Sequence, residues 1–211
     1  GMCSDSEYGA MPDWDVSNVT DMSNAFYEKS DFNADIGSWD VSNVTDMPYM
    51  FEKAQNFNQD ISGWDVSNVI DMNGMFYRAS VFNADISDWD VSNVTSMEYM
   101  FYEASSFNQD IGDWDVSSVI DMIGMFYYAT AFNQPIGNWD VSSVNNMIGM
   151  FAYARSFQQD LTDWCVTNIS SEPSAFSFNS PLFGINMPVW GTCPIPVITL
   201  EGEATVTLEV G

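Results

Sequence analysis

Apolar and polar positions along this chain recur as a block. Trp stands at 14, 39, 64, 89, 114, 139 and 164, a fixed spacing of 25 residues, and near-copies of WDVSNVIDMNGMFYRASVFNADISD at 64–88 fill the intervals. Self-similarity at such a period marks units that bury an apolar side only by stacking on their neighbours. Within a unit, Met47, Met50, Phe51 and Ala54 fall at i, i+3, i+4 and i+7, the spacing of one helix face. Thr45 or Asp46 offers an N-cap oxygen just before them, so a short helix is expected at 46–54 and at its equivalents. FNQDI at 57–61 follows, with Phe57 and Ile61 inward and Gln59 between them. It is the expected strand, stacked in register into a parallel sheet about 4.8 Å per step. In WDVSNV, Trp64, Val66 and Val69 point inward, while Ser67 and Asn68 bond backbone groups left over by the ladder. The pattern therefore predicts an α/β repeat solenoid of short parallel strands and short helices, in about seven turns of 25 residues.

The same alignment divides the chain. Residues 1–13 carry a partial unit and are expected to form an N-terminal cap, and 14–171 hold the repeats. At 172–195 the pattern decays: Glu172 replaces the Met, Pro173 interrupts the expected helix, and Phe176, Phe178, Leu182, Phe183 and Trp190 make an apolar C-terminal cap. Residues 196–211, PVITLEGEATVTLEVG, alternate apolar and polar positions like the opening strands of a truncated further domain. The parent protein is expected to be longer, and Gly1-Met2 is not expected to be its natural start.

Charge narrows the partners. Thirty acidic residues against four basic ones give a net charge of −26, which argues against nucleic acid or an anionic membrane surface, both of which are bound through Lys and Arg. A hydrophobic content of 46% with 15% aromatics is too high for a disordered acidic chain. No stretch is long and apolar enough to span a bilayer, so no membrane insertion is expected. There is no His, and Cys3, Cys165 and Cys193 fit no zinc spacing. Cys165 and Cys193 bracket the C-terminal cap and are expected to close it by a disulfide, two reduced buried thiols being the other reading.

The blocks Trp-Asp-Val-Ser and Met-Phe, with FNQDI, resemble the repeat of about 25 residues in bacterial and mycoplasma surface lipoproteins, in the BspA-like branch of leucine-rich repeats. The resemblance covers roughly 14–171. It implies a right-handed leucine-rich-repeat-like array on secreted or cell-surface proteins, linked to adhesion and rarely to catalysis. The tail is similar to the start of a bacterial immunoglobulin-like module.

Two sets of columns could carry chemistry. Asp40, Asp65, Asp90, Asp115 and Asp140 line up one per unit and could hold calcium or another hard cation; alternatively each caps its own turn. No other cofactor is expected. Tyr27, Tyr49, Tyr77, Tyr99, Tyr102 and Tyr127 could anchor a protein or stack on sugars, or simply pack between repeats. The Asn column at 33, 58, 83, 108 and 133 reads as an internal hydrogen-bonded ladder. With every candidate repeated and no base beside a nucleophile, no enzyme is expected. The expected function is a monomeric, extracellular recognition or adhesion module that binds a host or neighbouring-cell protein or glycan. A spacer stiffened by cations is the alternative, and an ice-binding surface a weaker one, since Thr20, Thr45 and Thr95 alternate with Ile70 and Ile120.

Overall fold

The computed structural model describes residues 11–195, 197–199 and 205–207. Cys3, most of the expected N-terminal cap and much of the tail lie outside the described residues.

Each unit lies in register on the next. In the unit that begins at Trp64, the amides of Met72, Gly74, Phe76 and Arg78 donate to the carbonyls of Ser96, Glu98, Met100 and Tyr102 one unit on, at 2.7–3.1 Å. The amides between them, Met75, Tyr77 and Ala79, turn back to the carbonyls of Met72, Gly74 and Phe76. The chain thus alternates between a ladder to its neighbour and tight turns of its own. A left-handed residue at every fourth position produces that alternation: Tyr49 (φ 55°) and Lys53 (57°), then Gly74 (58°) and Arg78 (58°), then Tyr99 (56°) and Glu103 (54°). One such residue ends a helix, and two spaced four apart prevent one from forming.

The expected helix at 46–54 is therefore absent. Its apolar spacing still selects the buried side chains, and Met47, Met50, Phe51 and Ala54 are all fully buried. Turns that close every four residues put i, i+3, i+4 and i+7 on one side much as a helix does. The expected strand at 57–61 is absent too. Phe57 and Ile61 do point inward, but here the units are joined by side chains: the amides of Asn58, Asn83, Asn108 and Asn133 each donate to the Oδ1 of the Asn one unit earlier, at 2.7–2.9 Å. Because the Asn oxygen stands in for a backbone carbonyl, no backbone ladder closes there. Among the described residues, β-type pairing between units is confined to single-residue parallel bridges along Asp21, Asp46, Asp71, Ser96, Asp121 and Asn146.

Regular elements among the described residues are few: 3₁₀ turns at Met11–Asp13 and Gly184–Asn186, and two strands, β1 (Val197–Thr199) and β2 (Thr205–Thr207). The strands pair antiparallel with Val197 opposite Thr207. The α/β repeat solenoid, with its leucine-rich-repeat-like sheet and short helices, is overturned by these elements. What stacks is a coil of turns.

Aromatic columns fill the centre. Phe51 and Phe76 stack at 5.5 Å between ring centroids, Phe57 and Phe82 at 6.1 Å, and Phe51 and Phe57 at 4.0 Å within one unit. Trp64, Trp89, Trp114, Trp139 and Trp164 each donate the indole N–H to the carbonyl of residue 36, 61, 86, 111 or 136, at 2.9–3.1 Å. That bond satisfies the one polar atom of a buried Trp and ties each Trp to the chain 28 residues earlier.

At the C-terminal end the ladder continues with one residue added. Gly149, Phe151 and Tyr153 donate to Ser174, Phe176 and Phe178, and the left-handed positions reappear at Ala175 and Asn179. Buried Phe176 meets Trp190 edge to face at 4.9 Å. A disulfide joins Cys165 to Cys193.

Candidate functional site

The turn segment that carries the left-handed residues also carries the tyrosines. Because every fourth residue inverts the chain, the residue before each second inversion faces outward one coil above its equivalent. Tyr77, Tyr102 and Tyr127 occupy that position in successive units and stack almost parallel, at 4.5 Å and 4.6 Å. Tyr99 meets Tyr77 and Tyr102 edge-on at 6.3 and 5.7 Å. Four of the six tyrosines singled out from sequence thus come together as one half-buried face.

The other two stand apart. Tyr27 is 38% exposed at the N-terminal end, cut off from the stack because Glu52 holds the intervening position. Tyr49 lies over Gly74, as Tyr99 lies over Gly124. Two residues join the face that the sequence reading passed over: Tyr128 and Tyr153, which stack at 4.2 Å, with Tyr127 5.2 Å from Tyr128. Their spacing of 25 was a signal, but they sit in the second left-handed column, which in earlier units holds Glu28, Lys53, Arg78 and Glu103.

That column is electrostatically built. Lys53 Nζ binds Glu28 at 2.8 Å and Glu52 at 3.3 Å, and it lies 5.3 Å above the Tyr27 ring. Arg78 forks onto Glu103 at 3.0 and 3.1 Å and lies 5.3 Å above the Tyr77 ring. Two of the four basic residues of the chain are thus held between carboxylate and ring. Burial pushes the Tyr102 hydroxyl up to about 12. It raises Tyr49, Tyr99 and Tyr127 in the same direction, with nearby carboxylates adding to the effect. Tyr99, Tyr102 and Tyr127 therefore stay neutral at physiological pH. Glu98 is also raised, first by burial and then by Asp121 and Asp71.

The aspartates proposed as cation ligands lie elsewhere and are engaged. Asp40, Asp65 and Asp90 each accept both the amide and the hydroxyl of the Ser two residues on, at 3.1 and 2.6 Å. Asp115 and Asp140 accept the amide at 3.0 Å. Those serine bonds hold Asp40, Asp90 and Asp115 below the usual carboxylate range, the hydroxyl contributing most. Among the described residues no three His, Cys, Asp or Glu side chains converge as a metal-holding group. What the column does in this geometry is close turns.

No helix among the described residues is long and apolar enough to cross a membrane. No curated protein and no solved structure matches the chain. One family does, over residues 2–109 and again over 84–188, two overlapping matches that follow from the internal repeat. The chain belongs to the family described as "Mycoplasma protein of unknown function, DUF285".

Proposed function

We propose that this chain is a non-enzymatic recognition module of a bacterial surface or secreted protein, and that it holds a partner protein against its tyrosine face. The observation that carries the reading is the run Tyr77, Tyr99, Tyr102, Tyr127, Tyr128 and Tyr153, six half-buried phenols on adjoining coils. Tyrosine supplies contact area at low entropic cost and concentrates in protein interfaces. The ring faces of Tyr77, Tyr102 and Tyr127 are stacked on one another. A sugar ring needs a free aromatic face, so a protein fits this surface better than a glycan.

The Cys165–Cys193 disulfide supports an oxidising, extracellular setting. The Trp-Asp-Val-Ser and Met-Phe blocks support kinship with the BspA-like surface repeats, and the antiparallel β1–β2 pair agrees with the opening of an immunoglobulin-like module. A spacer is the second reading, favoured by the way the Asp-Ser turns and the Lys53–Glu28 and Arg78–Glu103 ion pairs serve the stack itself. Immobilising the 211-residue chain and probing it with a panel of matrix and cell-surface proteins and with a glycan array separates them. Binding to one protein, lost in Tyr102→Ala and Tyr127→Ala, supports recognition; silence on both arrays leaves the spacer.

A further inference from the structure

The two ends of the coil are complementary. Inside the stack, amides at every second residue donate to the coil that follows. Asn24, Phe26 and Glu28 bind the carbonyls of Pro48, Met50 and Glu52, and Gly149, Phe151 and Tyr153 bind those of Ser174, Phe176 and Phe178. In the first coil the carbonyls equivalent to Pro48, Met50 and Glu52 belong to Ser23, Ala25 and Tyr27, and no group among the described residues donates to them. In the last coil Ala175, Ser177 and Asn179 hold the donor positions, with Ala175 and Asn179 both at φ 57°. Their amides have no acceptor among the described residues. Three acceptors therefore point out of one end, and three donors at the same spacing point out of the other.

Side chains repeat the match. The carbonyls of Tyr77, Tyr102, Tyr127 and Phe178 accept from the same position of the preceding coil, so Phe178 continues the outward column, and it is 55% exposed. Tyr27 opens that column at the other end and is also exposed. Phe183, Ile185 and Val189 are exposed in the last coil, and a cavity of about 840 Å³ lined by Met11, Phe26 and Phe32 opens beside the first. Charge spares the last coil: in a chain of net charge −26, no Asp, Glu, Lys or Arg stands from 173 to 195.

We propose that a second copy of this chain docks head to tail, its first coil on the last coil of the copy before it. The amides of Ala175, Ser177 and Asn179 then donate to the carbonyls of Ser23, Ala25 and Tyr27, and Phe178 meets Tyr27. A contact between two different ends leaves one donor row and one acceptor row open on every assembly, so growth runs on into filaments. Repulsion between acidic chains opposes it, and salt relieves that repulsion. The inference departs from the monomer expected from sequence and does not rest on the recognition reading.

Sedimentation of the 211-residue chain over a concentration series, at low and at high salt, tests this. Species larger than dimers should form and should increase with salt. Ala25→Glu and Phe178→Glu each place a carboxylate on one end, at exposed positions, and each alone should weaken association about tenfold with the melt intact. Mixed in equal amounts they should form dimers and stop, because each supplies the end that the other has lost. Val81→Glu adds the same charge to an interior coil, at a side chain 42% exposed, and should assemble like the unaltered chain. In the unaltered chain, amide exchange at Ala175, Ser177 and Asn179 should slow as concentration rises. A chain that stays monomeric at every concentration and salt, association that ends at dimers, or end variants that do not pair when mixed overturns the proposal.

Discussion

Tyr49 lays its ring directly on Gly74, one coil further along the same left-handed column. Tyr99 does the same to Gly124, and a Cβ added at Gly124 would come within 2.7 Å of that ring. The alternation of Tyr and Gly is thus a packing code: a large residue in one coil needs the smallest one in the next. Gly149 differs, because the nearest atom to an added Cβ is Tyr127 Cδ2 at 3.5 Å, an ordinary contact. Gly74→Ala carries both backbone strain at φ 58° and a collision with the ring, and should cost about 2–3 kcal/mol. Gly149→Ala carries the backbone cost alone, about 1 kcal/mol. Denaturation of the two variants side by side checks the order, and equal losses would show that the ring moves aside freely.

The Asn column makes a different prediction. Asn83 Oδ1 accepts the amide of Asn108 at 2.8 Å, and the Asn83 carbonyl accepts Gln109 Nε2 at 2.7 Å. Asn83→Ala removes the first acceptor and leaves the second. The orphaned amide should cost about 1–3 kcal/mol, and amide exchange at Asn108 should accelerate more than at Phe107 or Ile111. Unchanged exchange at Asn108 would mean that water replaces the side chain without loss.

These two columns also show where sequence reasoning succeeds and stops. Period, register and burial were legible, since Met72, Met75, Phe76 and Ala79 face inward whichever backbone carries them. Element type was not. A helix and a chain of four-residue turns bury the same spacing, and only the φ of Gly74 and Arg78 distinguishes them. Arg78 is a residue that no propensity scale would place in a left-handed conformation. Likewise FNQDI alternates like a strand, while the linking oxygen comes from the Asn side chain. Of the tyrosine face, the columns were visible, but the union of Tyr128 and Tyr153 with Tyr127 depends on how neighbouring columns splay.

Acid should act in two stages. Serine or threonine bonds hold Asp15, Asp40, Asp60, Asp85, Asp90, Asp115 and Asp160 below their ordinary pKa. A depressed folded pKa contributes stability that is present above the unfolded value, about 3.9, and lost as pH falls through the folded one. Glu98, raised by burial, has the opposite sign, so its protonation favours the fold. Relief of self-repulsion adds to that. The melting temperature should therefore rise slightly from pH 7 to about 5 and fall below about 4. At one site, Ser92→Ala removes the larger of the two bonds on Asp90 and should lift the Asp90 carboxyl titration followed by NMR. A titration that stays put would assign the depression to another cause. Because these carboxylates are engaged in their own turns, EDTA should leave the melt where millimolar calcium leaves it.

The disulfide tests whether the coil is one cooperative body. Cys165 and Cys193 are 28 residues apart, and a loop of that length is worth about 3 kcal/mol in chain entropy when closed. Beside the bond, Val166 donates to Thr192 and Gly191 returns a bond to Val166, at 2.9 and 3.2 Å, so the bridge pins the cap that carries Trp190 onto the last full unit. A stack in which each unit contacts only its neighbours loses stability locally when an end is released. In Cys165→Ser with Cys193→Ser, amide exchange should accelerate at Phe176 and at Thr192, while the amides of Phe76 and Arg78, four units inward, keep their protection. The first melting transition should drop while a later one persists. If protection instead falls uniformly from Phe76 to Phe176, the units unfold together, and the nearest-neighbour account of this fold fails.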